Sequence, residues 1–183
     1  MFSPEAFACE FRKVVSAEQN ALDALLGRAN EYTSHVLKAV LQPIASALDY
    51  SCEYEFGPWR LDSVFFPKDE PRSAYFHVAV EHENVGRGAV QELLKLSLLN
   101  VPLKVLITYA YHEPENLRRY LADLSTRIAL MDYFGDFADK RRQLLILGRR
   151  NPHALLRMQS DFHRTDPAWT VYLWDGRQFA SLP

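Results

Sequence analysis

The chain has 183 residues, an apolar content of 48% and a formal net charge of −2. A chain of this length usually forms one domain with a substantial core, so we expect residues 1–183 to be a single domain. The total charge excludes the strong basic excess of small nucleic-acid-binding proteins. The sequence also has no Walker loop, GxGxxG, CxxC pair or internal repeat, which excludes several nucleotide-binding and zinc-binding classes.

The apolar segments do not predict a membrane protein. The longest candidate, VLKAVLQPIASAL, is interrupted by Lys38 and Pro43 and is too short to span a bilayer. Nothing resembles a signal peptide. Cys9 and Cys52 are typical of reduced thiols rather than of a disulfide scaffold. We therefore expect a cytoplasmic protein without a membrane partner.

The first 50 residues predict helices. Pro4 directly follows Ser3, a pattern typical of a helix start. Ser16 and Gln19 have the spacing of a capping box and precede apolar residues at helical intervals. Pro43 then predicts a kink or an end, so either two helices or one bent helix fits this part of the chain.

After residue 50 the apolar period changes from helical to alternating, which predicts strands. Three strands in succession are expected at 52–56, at 59–66 and from Tyr75 onwards. A helix over 89–100 ends before Pro102, and the apolar run 103–111 has the length and composition of a central strand.

The last third of the chain predicts additions to this set of elements. A helix from Pro114, a strand at 143–148 and a short helix after Pro152 are followed by a hairpin. Its Asp175–Gly176 pair favours a two-residue type I′ turn. We thus expect an α/β (α+β) fold with a mixed central sheet flanked by helices, in which 16–111 form the core and 112–183 a C-terminal helix and β-hairpin.

Three acidic side chains lie where the strand order could bring them together. Asp62 lies within the second strand, whereas Glu81 and Glu83 end the third strand on the side that His77 also occupies. Like charges so close raise each other's pKa values unless a positive charge lies between them. Neighbouring strands are about 4.8 Å apart, so these carboxylates could share one cation. Oxygen ligands favour Mg²⁺, Mn²⁺ or Ca²⁺ over zinc.

This pattern resembles the PD-(D/E)xK nuclease-like (restriction-endonuclease-like) superfamily. Asp62 is followed about twenty residues later by Glu81-x-Glu83, and the resemblance covers roughly 16–111 with an αβββαβ order. It implies a metal-dependent nuclease that hydrolyses phosphodiester bonds of DNA, with Mg²⁺ or Mn²⁺ held by Asp62 and Glu81. An acidic residue in the helix before the first strand often completes the family's site, and Glu31 is the candidate here.

The sequence departs from the family pattern at one position. Glu83 stands where the motif has lysine. In some restriction endonucleases of the superfamily a second glutamate serves as a metal ligand or general base, and in others the lysine has moved to the following helix, where Lys95 is the candidate. Alternatively, the domain has lost catalysis and remains an interaction module that binds nucleic acid or a protein. An unrelated α+β protein with these acids on its surface is the remaining alternative.

The charge distribution bears on the partner. Residues 118–164 carry an excess of basic side chains that includes three arginine pairs, Arg118–Arg119, Arg141–Arg142 and Arg149–Arg150. Such pairs can contact phosphates, although they more often belong to a solvated surface. The family resemblance makes DNA the expected partner. Restriction-type and repair-type enzymes usually act as dimers, so the resemblance also allows a homodimer.

Overall fold

A computed structural model describes residues 3–69, 75–84, 88–111, 114–132, 137, 142–150 and 169–183. The helices are α1 (Pro4–Ala24), α2 (Ala29–His35), α3 (Gln42–Ala47), α4 (Ala89–Ser97) and α5 (Pro114–Met131). The strands are β1 (Tyr50–Phe56), β2 (Leu61–Pro67), β3 (Val78–His82), β4 (Leu103–Tyr111), β5 (Arg142–Arg150), β6 (Trp169–Trp174) and β7 (Phe179–Ser181). Within this part of the chain, no helix has the length and apolar character needed to cross a membrane.

The strands form one seven-stranded mixed sheet in chain order, from β1 at one edge to β7 at the other. β3, β4 and β5 run parallel, and the other neighbouring pairs are antiparallel. Parallel neighbours need crossover connections, and α4 and α5 supply them. The prediction of a mixed α/β protein with a mixed central sheet is therefore confirmed.

Helices cover both faces of the sheet and bury two apolar clusters. α1, α2 and α3 pack on one face, and α4 and α5 pack on the other. In β4, Val105 and Ile107 belong to the first cluster and Leu106 to the second. Because both faces are covered, β4 is mostly apolar, as is typical of a central strand, and its buried exceptions are Thr108 and Lys104, whose Nζ lies 3.8 Å from the centre of the Phe137 ring.

The first helix begins earlier than the capping-box pattern predicts. Ser3 accepts a hydrogen bond from the Ala6 backbone N–H at 3.0 Å and thereby caps α1, with Pro4 at the first helical position. The predicted start at Ser16 is wrong, because Ser16 lies inside α1. From Phe7 onwards, apolar residues at helical spacing already pack this segment into the core, so one helix continues through Ser16.

Pro43 marks a change of helix type rather than an end. α2 continues through a π-helical turn, Val36–Leu41, into α3, and the Gln42 N–H donates to the Leu37 carbonyl oxygen. Pro43 has no N–H to continue the regular hydrogen-bond ladder, and the wider turn comes directly before it. The apolar residues from Leu22 to Ile44 are therefore divided between two helical segments, α1 and the continuous α2–α3, which is the two-helix alternative, and Pro43 lies within the second segment.

The C-terminal hairpin is confirmed, but its turn is not of the predicted type. Trp174 pairs with Phe179, so four residues rather than two connect β6 and β7. The Asp175 carboxylate accepts hydrogen bonds from the backbone N–H groups of Arg177 and Gln178, both at 2.8 Å. This side-chain turn takes the place of the type I′ turn. The helix predicted after Pro152 lies outside the described residues.

Gly148 of β5 lies beneath two aromatic rings. Its neighbours across the sheet are Tyr109 of β4 and Trp169 of β6, whose rings pack at a centroid distance of 5.5 Å. A Cβ atom at position 148 would lie 2.6 Å from Tyr109 Cδ1 and 3.0 Å from Trp169 Cζ3. Any side chain at position 148 therefore has to displace the Tyr109 ring.

We expect Gly148→Ala to lower the free energy of unfolding by about 1–3 kcal/mol, because overpacking against a buried ring forces the ring or the backbone to shift. Urea denaturation measures this change. In a Tyr109→Ala background the ring is absent, and the same substitution should cost much less. An equal cost in both backgrounds would show that the Tyr109 ring is not the obstacle.

Candidate functional site

Asp62 and Glu81 face each other where β2 and β3 begin to separate. The two strands pair Ser63 with Val80, and Asp62 and Glu81 are the next residues along each strand. Asp62 Oδ2 accepts the backbone N–H of His82 at 2.8 Å. The Asp62 carboxylate thus takes the place of a strand carbonyl as the acceptor for the His82 N–H. This hydrogen bond holds Asp62 beside Glu81.

The positive charge beside these acids is Lys95 of α4. Its Nζ lies 2.7 Å from Glu81 Oε1 and 2.7 Å from Glu92 Oε2. Glu92 and Lys95 are three residues apart on α4 and therefore share a helix face. The Glu81 side chain is only 2% exposed, whereas that of Lys95 is 25% exposed. We call Asp62, Glu81, Glu92 and Lys95 the acid–lysine cluster.

Burial dominates the electrostatics of the cluster. It raises the pKa of Glu81 to about 9, and the hydrogen bond from Lys95 opposes this rise whereas the charges of Asp62 and Glu92 add to it. Burial also raises the pKa of Asp62, against the lowering effect of the His82 N–H. For Lys95, burial acts to lower the pKa, but the hydrogen bonds to Glu81 and Glu92 raise it overall. Three acids around one lysine leave the cluster short of positive charge.

His82 supports the cluster from the opposite face of the sheet. Its Nε2 lies 2.9 Å from the Tyr109 hydroxyl oxygen, and its ring stacks on Tyr32 of α2 at a centroid distance of 5.9 Å. His82 therefore packs on the face of the sheet opposite to Glu81. The residue that holds Asp62 through its backbone is therefore itself fixed by α2 and β4.

Two predicted metal ligands lie at other positions. Glu31 is on the exposed face of α2, where its carboxylate is 60% exposed and lies 3.2 Å from Arg28 Nη1. Glu83 follows β3, and its carboxylate occupies the space that a side chain at Gly88 would take at the start of α4. Of the residues predicted for the site, the structure gathers Asp62, Glu81 and Lys95.

His77 does not share the face of Glu81, in contrast to the prediction. β3 begins at Val78, so the strand alternation does not extend to His77. Its Nδ1 lies 3.0 Å from the Tyr50 hydroxyl oxygen, and Tyr50 packs on the side of the sheet covered by α1. His77 is therefore a hydrogen-bonded structural histidine.

Glu92 is the residue of the cluster that sequence patterns did not identify. An acid three residues before a lysine on a helix is usually an exposed ion pair. The only sequence signal for Glu92 was its spacing of three residues to Lys95. Glu115 has the same spacing to Arg118 on α5, so this signal does not identify Glu92. Only the packing of α4 against β3 brings the first pair to Glu81.

The cluster contains a minimal donor set for a hard divalent cation. Mg²⁺ is commonly bound through one or two carboxylates, with waters and substrate phosphates as its other ligands. Asp62 and Glu81 provide two such groups on adjacent strands, with Asp62 half-buried and Glu81 almost completely buried. Among the described residues, no group of three or more His, Cys, Asp or Glu side chains is arranged to hold a metal ion. A divalent cation would therefore bind to Asp62 and Glu81 and would compete with Lys95 for Glu81.

The arginines expected to contact phosphates are engaged where the structure describes them. Arg118 and Arg119 both pair with Glu115, at 2.9 and 3.0 Å. Arg142 lies 3.4 Å from Glu5 of α1. Arg141 and the side chains of Arg149 and Arg150 lie outside the described residues. The described pairs are surface ion pairs, the simpler of the two interpretations.

Comparisons of the chain with protein-family models, with characterised proteins and with solved structures gave no match. The family resemblance of Asp62 and Glu81-x-Glu83 therefore stays a prediction. What the chain could do chemically follows from the acid–lysine cluster itself.

Replacing Glu81 with Gln should change how stability depends on pH. Folded Glu81 keeps its proton to about pH 9, whereas its ordinary pKa is 4.5, so between these values the folded state binds more protons than the unfolded state. The contribution of Glu81 to stability then falls as pH rises. Glutamine does not titrate, so Glu81→Gln should gain stability relative to the wild type between about pH 5 and pH 9. One pKa unit corresponds to about 1.4 kcal/mol, so we expect a gain of at least about 1 kcal/mol.

Urea denaturation at several pH values measures this difference. Glu115→Gln is the matched control, because hydrogen bonds from Arg118 and Arg119 lower the pKa of Glu115 and its titration lies below this window. Its stability difference from the wild type should be constant. A constant difference for Glu81→Gln as well would contradict the raised pKa.

Proposed function

We propose that the protein is a metal-dependent nuclease with a PD-(D/E)xK-like αβββαβ core, acting on DNA in the cytoplasm. The contact of Lys95 Nζ with Glu81 Oε1, at 2.7 Å, carries the proposal. The motif position two residues after Glu81 holds glutamate, and α4 brings a lysine to the same carboxylate from another direction. Asp62, Glu81 and Lys95 are thus the three chemical groups that the motif requires.

Hydrolysis of a phosphodiester requires a water nucleophile and stabilisation of negative charge on the phosphate oxygens. Mg²⁺ or Mn²⁺ held by Asp62 and Glu81 would supply that charge and a more acidic water. The backbone N–H of His82 donates a hydrogen bond to Asp62 Oδ2 and thereby orients the Asp62 carboxylate. Lys95 provides a hydrogen-bond donor that can turn from Glu81 to a phosphate oxygen or to the attacking water.

The position of the cluster suits a substrate that arrives from solvent. Lys95 and Glu92 are 25% and 26% exposed, whereas Glu81 is almost completely buried behind them. A phosphate group can therefore approach along α4 and meet Lys95 first. The Glu81 carboxylate then lies on the side of Lys95 away from solvent, where electrostatic interactions are strongest.

A second candidate is a non-catalytic interaction module on the same fold that binds nucleic acid or a protein. Two observations favour it. Glu81 keeps its proton to about pH 9 and already contacts Lys95, so the fold does not need a metal cation to bury this acid. The described arginines of α5, Arg118, Arg119 and Arg127, pair with acids on their own helix.

One assay separates the two candidates. The protein is incubated with plasmid, linear duplex, single-stranded and branched DNA, and with RNA, in Mg²⁺ or Mn²⁺. We expect cleavage of DNA by the wild type and at least about 100-fold less by Asp62→Asn and Glu81→Gln, since groups that stabilise charge on reacting oxygens contribute factors of this size. Glu115→Gln, an exposed acid on α5, should cleave like the wild type.

Metal binding gives an independent readout. Millimolar Mg²⁺ or Mn²⁺ should raise the melting temperature of the wild type by mass action, and Glu81→Ala should abolish the rise. No cleavage and no shift of the melting temperature with either metal would exclude the nuclease. Nucleic-acid or protein binding that survives Glu81→Gln under those conditions would establish the interaction module.

A further inference from the structure

We propose that Glu92 is a positioning residue, which keeps Lys95 beside the site when a divalent cation replaces Lys95 on Glu81. This inference rests on the proposed function. It concerns a residue that the nuclease motif does not include, and it gives a role to the one acid of the cluster that neither holds the cation nor lies on the sheet.

The observation behind it is that Lys95 is shared between two carboxylates in different surroundings. Its Nζ lies 2.7 Å from both Glu81 Oε1 and Glu92 Oε2. Glu81 is 2% exposed and belongs to the sheet, next to Asp62, whereas Glu92 is 26% exposed and lies on α4 with Lys95. Only the contact to Glu81 conflicts with a cation on the strand carboxylates.

A cation on Glu81 would repel the Lys95 ammonium, because like charges at contact distance interact strongly where water is excluded. With Glu81 as its sole partner, the ammonium would have to leave the site. Glu92 prevents this, because a residue three positions earlier on the same helix stays within contact of Lys95 without any backbone movement. When the cation binds, Lys95 loses its contact with Glu81 and keeps its contact with Glu92.

The two ends of this ion pair should affect cation binding in opposite directions. Without Lys95, the cation no longer has a competitor on Glu81 and should bind more tightly. Without the Glu92 carboxylate, Lys95 has only Glu81 as a partner and competes more strongly, so the cation should bind more weakly. Simple attraction between Glu92 and the cation also predicts weaker binding, and a double mutant distinguishes these explanations.

The experiment is calorimetric titration of the full chain with Mn²⁺ alone, for wild type, Glu92→Gln, Lys95→Met and the double variant. We expect Lys95→Met to bind about tenfold more tightly and Glu92→Gln about tenfold more weakly than wild type. In the double variant, Glu92 has no lysine to hold, so its affinity should match that of Lys95→Met within about twofold. Thermal unfolding without metal confirms that each variant is folded, and Lys95→Gln replaces Lys95→Met if that variant does not fold.

Glu115→Gln is the matched control, because Glu115, like Glu92, lies in the first turn of its helix and pairs with a basic residue, Arg118, three positions later. It should leave Mn²⁺ affinity unchanged. The role of Glu92 is wrong if Glu92→Gln binds Mn²⁺ like the wild type, or if it weakens Mn²⁺ binding equally with and without Lys95. Either result leaves the nuclease proposal intact. A wild-type protein that binds no Mn²⁺ would overturn both this role and the metal site of the proposed function.

Discussion

The buried carboxylate of Glu81 is the constraint on which the site depends. It lies at the next-to-last position of β3, almost completely out of water, and neighbours a second acid, Asp62 of β2. An acid in this position must keep a proton or find a positive charge, because an unpaired buried charge is very costly. At neutral pH Glu81 keeps its proton, because burial raises its pKa to about 9. The crossover from β3 to β4 places α4 over the end of β3, where Lys95 contacts Glu81. The electrostatics of the site is therefore set by the connection between two parallel strands.

The opposite face of the sheet holds the same strand end in place. His82 donates its backbone N–H to Asp62 and fixes its side chain between Tyr32 and the Tyr109 hydroxyl. Tyr109 in turn lies over Gly148, the position of β5 where a side chain would not fit. One strand end thus joins a polar cluster on the side of α4 to an aromatic layer on the side of α1. The position of Asp62 depends on packing that lies across the sheet from it.

The nuclease and the interaction module differ in one physical property of this arrangement, which is whether Lys95 can give up Glu81. Lys95 has a second partner in Glu92 at the same distance, so it can change partners without leaving the site. The exchange of partners by Lys95 is therefore the property on which the catalytic proposal depends.

The sequence by itself determined most of the elements and the face on which Asp62 and Glu81 lie, but not the face of His77. Strand alternation placed Asp62 and Glu81 on one side of neighbouring strands, and apolar composition predicted β4 over 103–111, where the structure has it. These features are local, because periodicity reports which residues one element buries. Tertiary structure alone decided that Lys95 and Glu92 meet Glu81, that Glu31 stays in solvent and that Glu83 lies against Gly88. Those contacts depend on how α2 and α4 pack on the sheet, and a side chain on a helix carries no local signal of the strand that it will meet.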